Sequence, residues 1–312
     1  MITQPRASGL TFAEYPVMFP SEGQALFGIL TQPEGRHSRG VGVVLLSGGS
    51  FTPAQNRNRV SVRLARLLAG DGFSVLRFDY HGVGESEGTI AGYALDRPFV
   101  SDLEAALRWW QTAGMRRFVL VGSCFGARTI AATVDRISGV DGLVLISTPM
   151  MDFEMGDAQP THYVRKLSTW QLIRRAARPR TILNLIVPRA RENRRSGRRI
   201  AARTVALKVK ALTERALGNR KQSWMSEPLI RQLSVITQRR IPMLLMYGEE
   251  EIFYRDFSEA RSGPLQPILA RGNGTIEVQT VPGVLHGFTS LAVQDETVER
   301  TMRWIRTHLT ER

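Results

Sequence analysis

One cysteine occurs in 312 residues, so no disulfide can form within the chain, and a reducing compartment suits it. No stretch reaches the roughly 18 uninterrupted apolar residues needed to span a bilayer. No apolar run follows Met1-Ile2-Thr3-Gln4-Pro5-Arg6, so no secretion signal is visible. The expectation is a soluble, cytoplasmic protein. No internal repeat is found, which excludes solenoids and arrays. Acidic residues are scarce in one region. Residues 161–240 hold 21 of the 42 Lys and Arg, against only Glu192, Glu214 and Glu227, a net +18 that leaves −4 for the rest of a chain whose total is +14. The basicity therefore belongs to one segment.

What is present begins with a 43% hydrophobic composition, enough for a large core. Short apolar runs at 25–30, 41–46, 74–78, 117–121 and 142–146 read as buried strands. Helical patterns alternate with them, with Val62, Leu64, Ala65, Leu67 and Leu68 apolar and Arg63 and Arg66 between them, then 102–110. This alternation predicts an α/β fold with a mostly parallel central sheet covered by helices. After Ser147-Thr148-Pro149 the rhythm breaks. Residues 150–239 are Arg-rich and helical in pattern, and the strands resume at 242–247 and 275–280, with a closing helix from about 295. The organisation expected is a core of 1–149 and 240–312 with a basic helical insertion at 150–239.

The cysteine stands in Gly122-Ser123-Cys124-Phe125-Gly126, between an apolar strand and a helical pattern. A sharp strand-to-helix turn tolerates only residues without bulk two positions before and after a nucleophile at its apex. Gly122 and Gly126 meet that requirement around Cys124. Around Ser123 the same positions hold Val121 and Phe125, so the thiol is favoured. The alternative is a small buried hydrophobe.

These segments resemble the α/β-hydrolase superfamily, in which nucleophile, acid and histidine follow in that order. The resemblance implies that Cys124 is the nucleophile. It implies that His286, in Val281-Pro282-Gly283-Val284-Leu285-His286-Gly287-Phe288, is the base. It also puts the acid in Gly248-Glu249-Glu250-Glu251, with Glu251 at the family spacing and Glu250 as the alternative. A carboxylate behind the imidazole would fix its tautomer. The oxyanion hole is expected from the backbone N–H of Phe125 and from Gly49 or Ser50 in Ser47-Gly48-Gly49-Ser50-Phe51. Asp79-Tyr80-His81-Gly82-Val83-Gly84-Glu85-Ser86-Glu87-Gly88 matches a loop common in the superfamily, and His81 is a rival histidine. Within the superfamily the chain is similar to the serine-aminopeptidase-like esterase branch and to cysteine hydrolases associated with exosortase systems.

In this superfamily an insertion after the strand at 142–146 forms a lid. Its arginines, Arg194, Arg195, Arg198 and Arg199 among them, are solvated helix faces on one reading. On another they dock an anionic partner, a phosphopantetheine-bearing carrier protein or coenzyme A thioester, or an anionic membrane surface. No nucleic-acid motif accompanies the charge. Cysteine chemistry points to an acyl-cysteine intermediate formed from a thioester, ester or lactone, resolved by hydrolysis, transfer or cyclisation. No cofactor or metal is expected. The contrasting expectation is a non-catalytic binding protein whose basic segment holds an anionic partner.

Overall fold

The computed structural model describes residues 12–34, 38–48, 52–89, 98–152 and 225–309. They belong to a compact unit built from both flanks of the segment 153–224. Eight strands, β1 (Phe12–Ser21), β2 (Gln24–Pro33), β3 (Val41–Leu46), β4 (Ser74–Phe78), β5 (Arg117–Ser123), β6 (Val140–Ile146), β7 (Met243–Gly248) and β8 (Ile276–Val281), form one sheet in the order β1-β2-β4-β3-β5-β6-β7-β8. Strand β2 pairs antiparallel with β1 and β4, and every pair from β4 to β8 is parallel. The fold is that of an α/β hydrolase.

Burial explains the strand compositions. All residues of β3 and β7 are buried, as parallel strands covered on both faces must be, so they read as continuous apolar runs. Edge strand β1 instead exposes Tyr15 and Met18 while burying Phe19 and Ser21. Among the described residues the helices are α1 (Val60–Gly70), α2 (Val100–Thr112), α3 (Phe125–Thr133), α4 (Glu227–Gln238), α5 (Ile252–Arg261), α6 (Gln266–Arg271) and α7 (Leu291–Leu309). Val43, Val119, Val144 and Leu244 share a core cluster with Leu64 and Leu68 of α1 and Met302 and Ile305 of α7. Helices α2, α3 and α4 pack in sequence against one another, α2 on α3 and α3 on α4. Among the described residues no helix is long and apolar enough to cross a membrane.

Helix α4 lies inside the segment that the sequence reading assigned to the insertion, and it packs on α3. Its start is set by Ser226, whose Oγ accepts from the backbone N–H of Leu229 at 3.3 Å, with proline in the first turn. The same Oγ accepts from Arg128 Nη2 at 2.9 Å. Arg128, 1% exposed, also donates to the carbonyls of Pro149 and Met151 and pairs with Asp152 at 2.5 Å. One buried guanidinium in α3 thus ties down the chain on both sides of 153–224. A planar fork with five donors suits that task.

The parallel registers also locate the chemistry. Leu46 pairs with Gly122, Ser123 with Ile146, Ile146 with Met246 and Gly248 with Val281. Strands β3, β5, β6, β7 and β8 therefore end along one edge. The loops that follow them meet there, where open parallel sheets bind ligands.

Candidate active site

Cys124 leaves β5 with φ 49° and ψ −107°, a backbone conformation that costs a non-glycine residue about 1–3 kcal/mol. Neighbouring structure holds it there. Its N–H donates to Ile146 O at 2.8 Å, and its carbonyl accepts from Arg128 N at 3.2 Å, inside α3. The flanking glycines are required by contact. A Cβ on Gly122 would lie 2.6 Å from the carbonyl carbon of Gly126, and one on Gly126 would lie 2.7 Å from Leu46 O. Ser123 remains the last residue of β5, so Cys124 alone takes the apex.

A cleft of about 340 Å³ opens over this turn, with Cys124, Ser123, Ser147, His286, Phe288 and Arg57 among its lining residues. A larger surface depression, about 600 Å³, lies along α1 and α7 and is crossed by the Arg63–Asp295 ion pair at 2.5 Å. No thiol or histidine is among its described lining residues.

His286 is brought to the cleft by the loop after β8. Its backbone N–H donates to Glu251 Oε2 at 2.7 Å, and Ser147 Oγ donates to the same oxygen at 3.1 Å. Glu251, which begins α5, is 3% exposed, and its Oε1 has no hydrogen-bond partner among the described residues. Glu250 is exposed; its N–H donates to Gly283 O at 3.0 Å. Glu249 is also exposed and accepts from Thr280 Oγ at 3.0 Å. Of the three glutamates, only Glu251 turns inward beneath His286.

Burial governs the proton affinities. It pushes the Cys124 thiol up to about 12; a hydrogen bond from the Phe125 N–H opposes this, the Glu251 charge adds to it, and the Arg128 charge offsets part. Burial also raises Glu251, against the hydrogen bonds from His286 N–H and the Ser147 hydroxyl. His286 keeps exposed surface at the rim, yet the atoms crowding its ring, with Phe253 edge-on at 4.8 Å, push its pKa down. At neutral pH the thiol and the imidazole are both uncharged. Burial therefore favours the neutral thiol and imidazole over a resting thiolate–imidazolium pair.

The other expected residues divide. His81 does not line the cleft; its Nδ1 lies 2.9 Å from buried Asp102 and its ring packs on Phe99 at 4.1 Å. Phe125 is buried at the start of α3, with its N–H on the thiol. Gly49 and Ser50 lie outside the described residues, as do Arg194, Arg195, Arg198 and Arg199. Sequence reasoning missed Ser147, which closes β6 with φ 48° and contacts Glu251. It also missed what the Asp79 loop does: Oδ1 of Asp79 accepts from Ala54 N at 2.6 Å, and Oδ2 accepts from Glu85 N at 3.2 Å. That carboxylate fixes the far end of the loop that follows β3.

The sequence from 43 to 290 matches the model of the alpha/beta hydrolase family. The chain belongs to that family. This alpha/beta hydrolase is thus an enzyme of the hydrolase kind, and its acidic and histidine loops fall within the matched span. No curated protein matches its sequence. Proline iminopeptidase of Mycobacterium smegmatis is similar in fold, at 17% identity and TM-score 0.56, covering 95% of this chain and 99% of its own. So are the Pyrococcus furiosus esterase Pf2001, at 16% identity and TM-score 0.56 over 95% and 91%, and the alpha/beta hydrolase GrgF from Penicillium sp. sh18, at 15% and 0.57 over 96% and 99%. Among the described residues of this hydrolase, no group of three or more His, Cys, Asp and Glu is placed to hold a metal ion.

Proposed function

We propose that this hydrolase cleaves a thioester, ester or lactone through an acyl-cysteine intermediate, with Cys124 as nucleophile, His286 as base and Glu251 as the group that orients His286. The observation that carries this reading is the strained apex position of Cys124 in a cleft it shares with His286. Because the thiol starts neutral, the proton leaves as the bond forms. His286 takes it from Sγ while the sulfur attacks the carbonyl carbon, and negative charge develops on the carbonyl oxygen near the Phe125 N–H. The bond to the leaving group then breaks, and the leaving thiol or alcohol takes the proton from the imidazolium. In the second half, water or another acceptor gives its proton to His286 and attacks the acyl carbon, and the returning proton restores the thiol. The vacant Oε1 of Glu251 supplies an acceptor for the ring N–H of His286, and catalytic hydrogen bonds of this kind tighten as substrate binds.

The acyl donor in this reading is a carrier-protein or coenzyme A thioester, drawn by the basic segment at 161–240, with its net +18. The likeness to cysteine hydrolases associated with exosortase systems belongs to the same proposal. Incubation with butyryl-coenzyme A, the N-acetylcysteamine thioester of butyrate and 4-nitrophenyl butyrate, followed by intact-protein mass spectrometry, tests it. A butyryl adduct is expected on the wild type and on Cys124→Ser, and none on Cys124→Ala. Equal labelling of wild type and Cys124→Ala would remove Cys124 from the mechanism.

A further inference from the structure

Among the described residues that line the cleft, charge is sparse and of one sign. Apart from His286, Arg57 is the only ionisable side chain among the described lining residues other than the thiol itself. It is exposed, and among the described residues no carboxylate pairs with it. Several arginines of the surrounding fold are paired instead. Arg66 and Arg77 share Glu14, Arg117 pairs with Asp141, Arg128 with Asp152, and Arg300 with Glu296. The backbone around it is also held in an uncommon shape. Asn56, Asn58 and Arg59 have φ of 60°, 50° and 59°, and the Asn56 side chain accepts from the Arg57 N–H at 2.7 Å. Strain concentrated beside a cleft is a mark of a segment shaped for a ligand. It places an arginine at the lining of a cavity that also holds Cys124 and, among its described lining residues, no carboxylate.

We propose that Arg57 is an anion-recognising group of this cleft, and that the preferred substrate carries a carboxylate or phosphate within reach of the reacting carbonyl. The proposal rests on the acyl-cysteine reading for its reacting bond, and it names the substrate class for that site. A guanidinium offers two parallel N–H donors to either oxyanion, and such charge-assisted pairs carry both strength and orientation. The anion can belong to the acyl group, as in a dicarboxylic half-thioester, or to the leaving group, as in a phosphopantetheine thioester. The shared chemistry is the oxyanion.

Three substrates separate the sources: the N-acetylcysteamine thioester of butyrate, which is neutral, that of succinate, with an acyl-side carboxylate, and butyryl-phosphopantetheine, with a leaving-group phosphate. The readout is kcat/KM for each anionic substrate divided by that for the neutral one, in wild type, Arg57→Gln, Arg57→Lys and Arg57→Glu. The wild type should prefer one anionic substrate by about tenfold or more. Arg57→Gln should erase that preference, Arg57→Lys should keep part of it, and Arg57→Glu should invert it. Which substrate is preferred identifies the source. A merely structural role for Arg57 would lower all three rates together and leave the ratio intact, and that result overturns the proposal, as does a wild type with no preference.

Failure of the acyl-cysteine reading gives a different pattern, because Cys124→Ala would then turn over the same substrates. If no thioester reacts, calorimetric titration of Cys124→Ala with succinate and with phosphopantetheine still decides the matter. Binding of either that weakens about tenfold in Cys124→Ala/Arg57→Gln supports the anion site. Absence of binding, or equal binding, removes it.

Discussion

Two of the described histidines sit on buried acids, and the two arrangements share more than that. Asp102 accepts the backbone N–H of His81 at 2.9 Å and a serine hydroxyl, Ser21 Oγ, at 2.8 Å. Glu251 accepts the backbone N–H of His286 at 2.7 Å and a serine hydroxyl, Ser147 Oγ, at 3.1 Å. They differ in the ring. His81 places Nδ1 on the same carboxylate oxygen, 2.9 Å away, so its acid has all of its partners at rest. His286 binds Glu251 through its backbone, and among the described residues no hydrogen bond reaches its ring, while Glu251 Oε1 stays vacant. A complete histidine–carboxylate pair is here the sign of a structural joint. The incomplete one shares the cleft of Cys124, with acceptor capacity left on its acid.

Exchanging the two roles by mutation is the most severe test. His286→Ala should lower kcat/KM by about a thousandfold, the scale of a lost general base, while leaving the melting temperature nearly unchanged. His81→Ala should do the reverse, keeping most of the activity and losing about 1–3 kcal/mol as a buried carboxylate loses a partner. Thermal melts and steady-state rates on the two variants decide it. Equal rate losses would place both histidines in the mechanism.

A second test concerns the thiol whose cleft only one of these histidines lines. With the Cys124 pKa pushed up to about 12, alkylation by iodoacetamide at pH 7 should be at least about a hundredfold slower than for a free thiol of pKa near 8.5, and should still be rising above pH 10. The acid limb of kcat/KM should fall below the ordinary histidine value of 6.5, because burial lowers His286. Mass-spectrometric alkylation rates and a pH–rate profile measure both. Fast alkylation that levels off near neutrality would mean a resting thiolate and a different electrostatic balance.

The contrast also explains what the sequence could reveal. The parallel strands were legible because burial on both faces leaves apolar runs, and Cys124 was legible because its turn needs glycine at both flanking positions. Glu251 and His286 were read through the resemblance to the α/β-hydrolase superfamily, by its order and spacing. Antiparallel β1 was harder, since it exposes the large side chains of Tyr15 and Met18, which fall on opposite faces and blur the alternation. Ser147 gave no signal, because a serine with positive φ reads like any loop residue. Asp102 reads as a helix-surface acid, since its partners Ser21 and His81 are 81 and 21 residues away. Arg57 was one basic residue among many until the cleft placed it.

The smallest expected effect separates the two acids by pH. Burial raises Glu251 in the folded protein above its ordinary value of 4.5, so the native state holds that proton more tightly than the unfolded chain. Its contribution to stability is fully present below about pH 4.5 and is lost as pH rises through the folded pKa. Glu251→Gln cannot ionise and escapes that loss. Its stability relative to wild type should therefore improve as pH rises from 4 to 8, even though activity falls with the orienting carboxylate gone. Asp102→Asn should be destabilised throughout this range, because the amide nitrogen takes the place of an oxygen that accepts hydrogen bonds. Urea unfolding at pH 4, 6 and 8 gives all three curves, and groups common to wild type and variant cancel in the differences. A Glu251→Gln curve that falls away from wild type with rising pH would mean that the ionised carboxylate is net stabilising, and that the hydrogen bonds from His286 and Ser147 outweigh its burial.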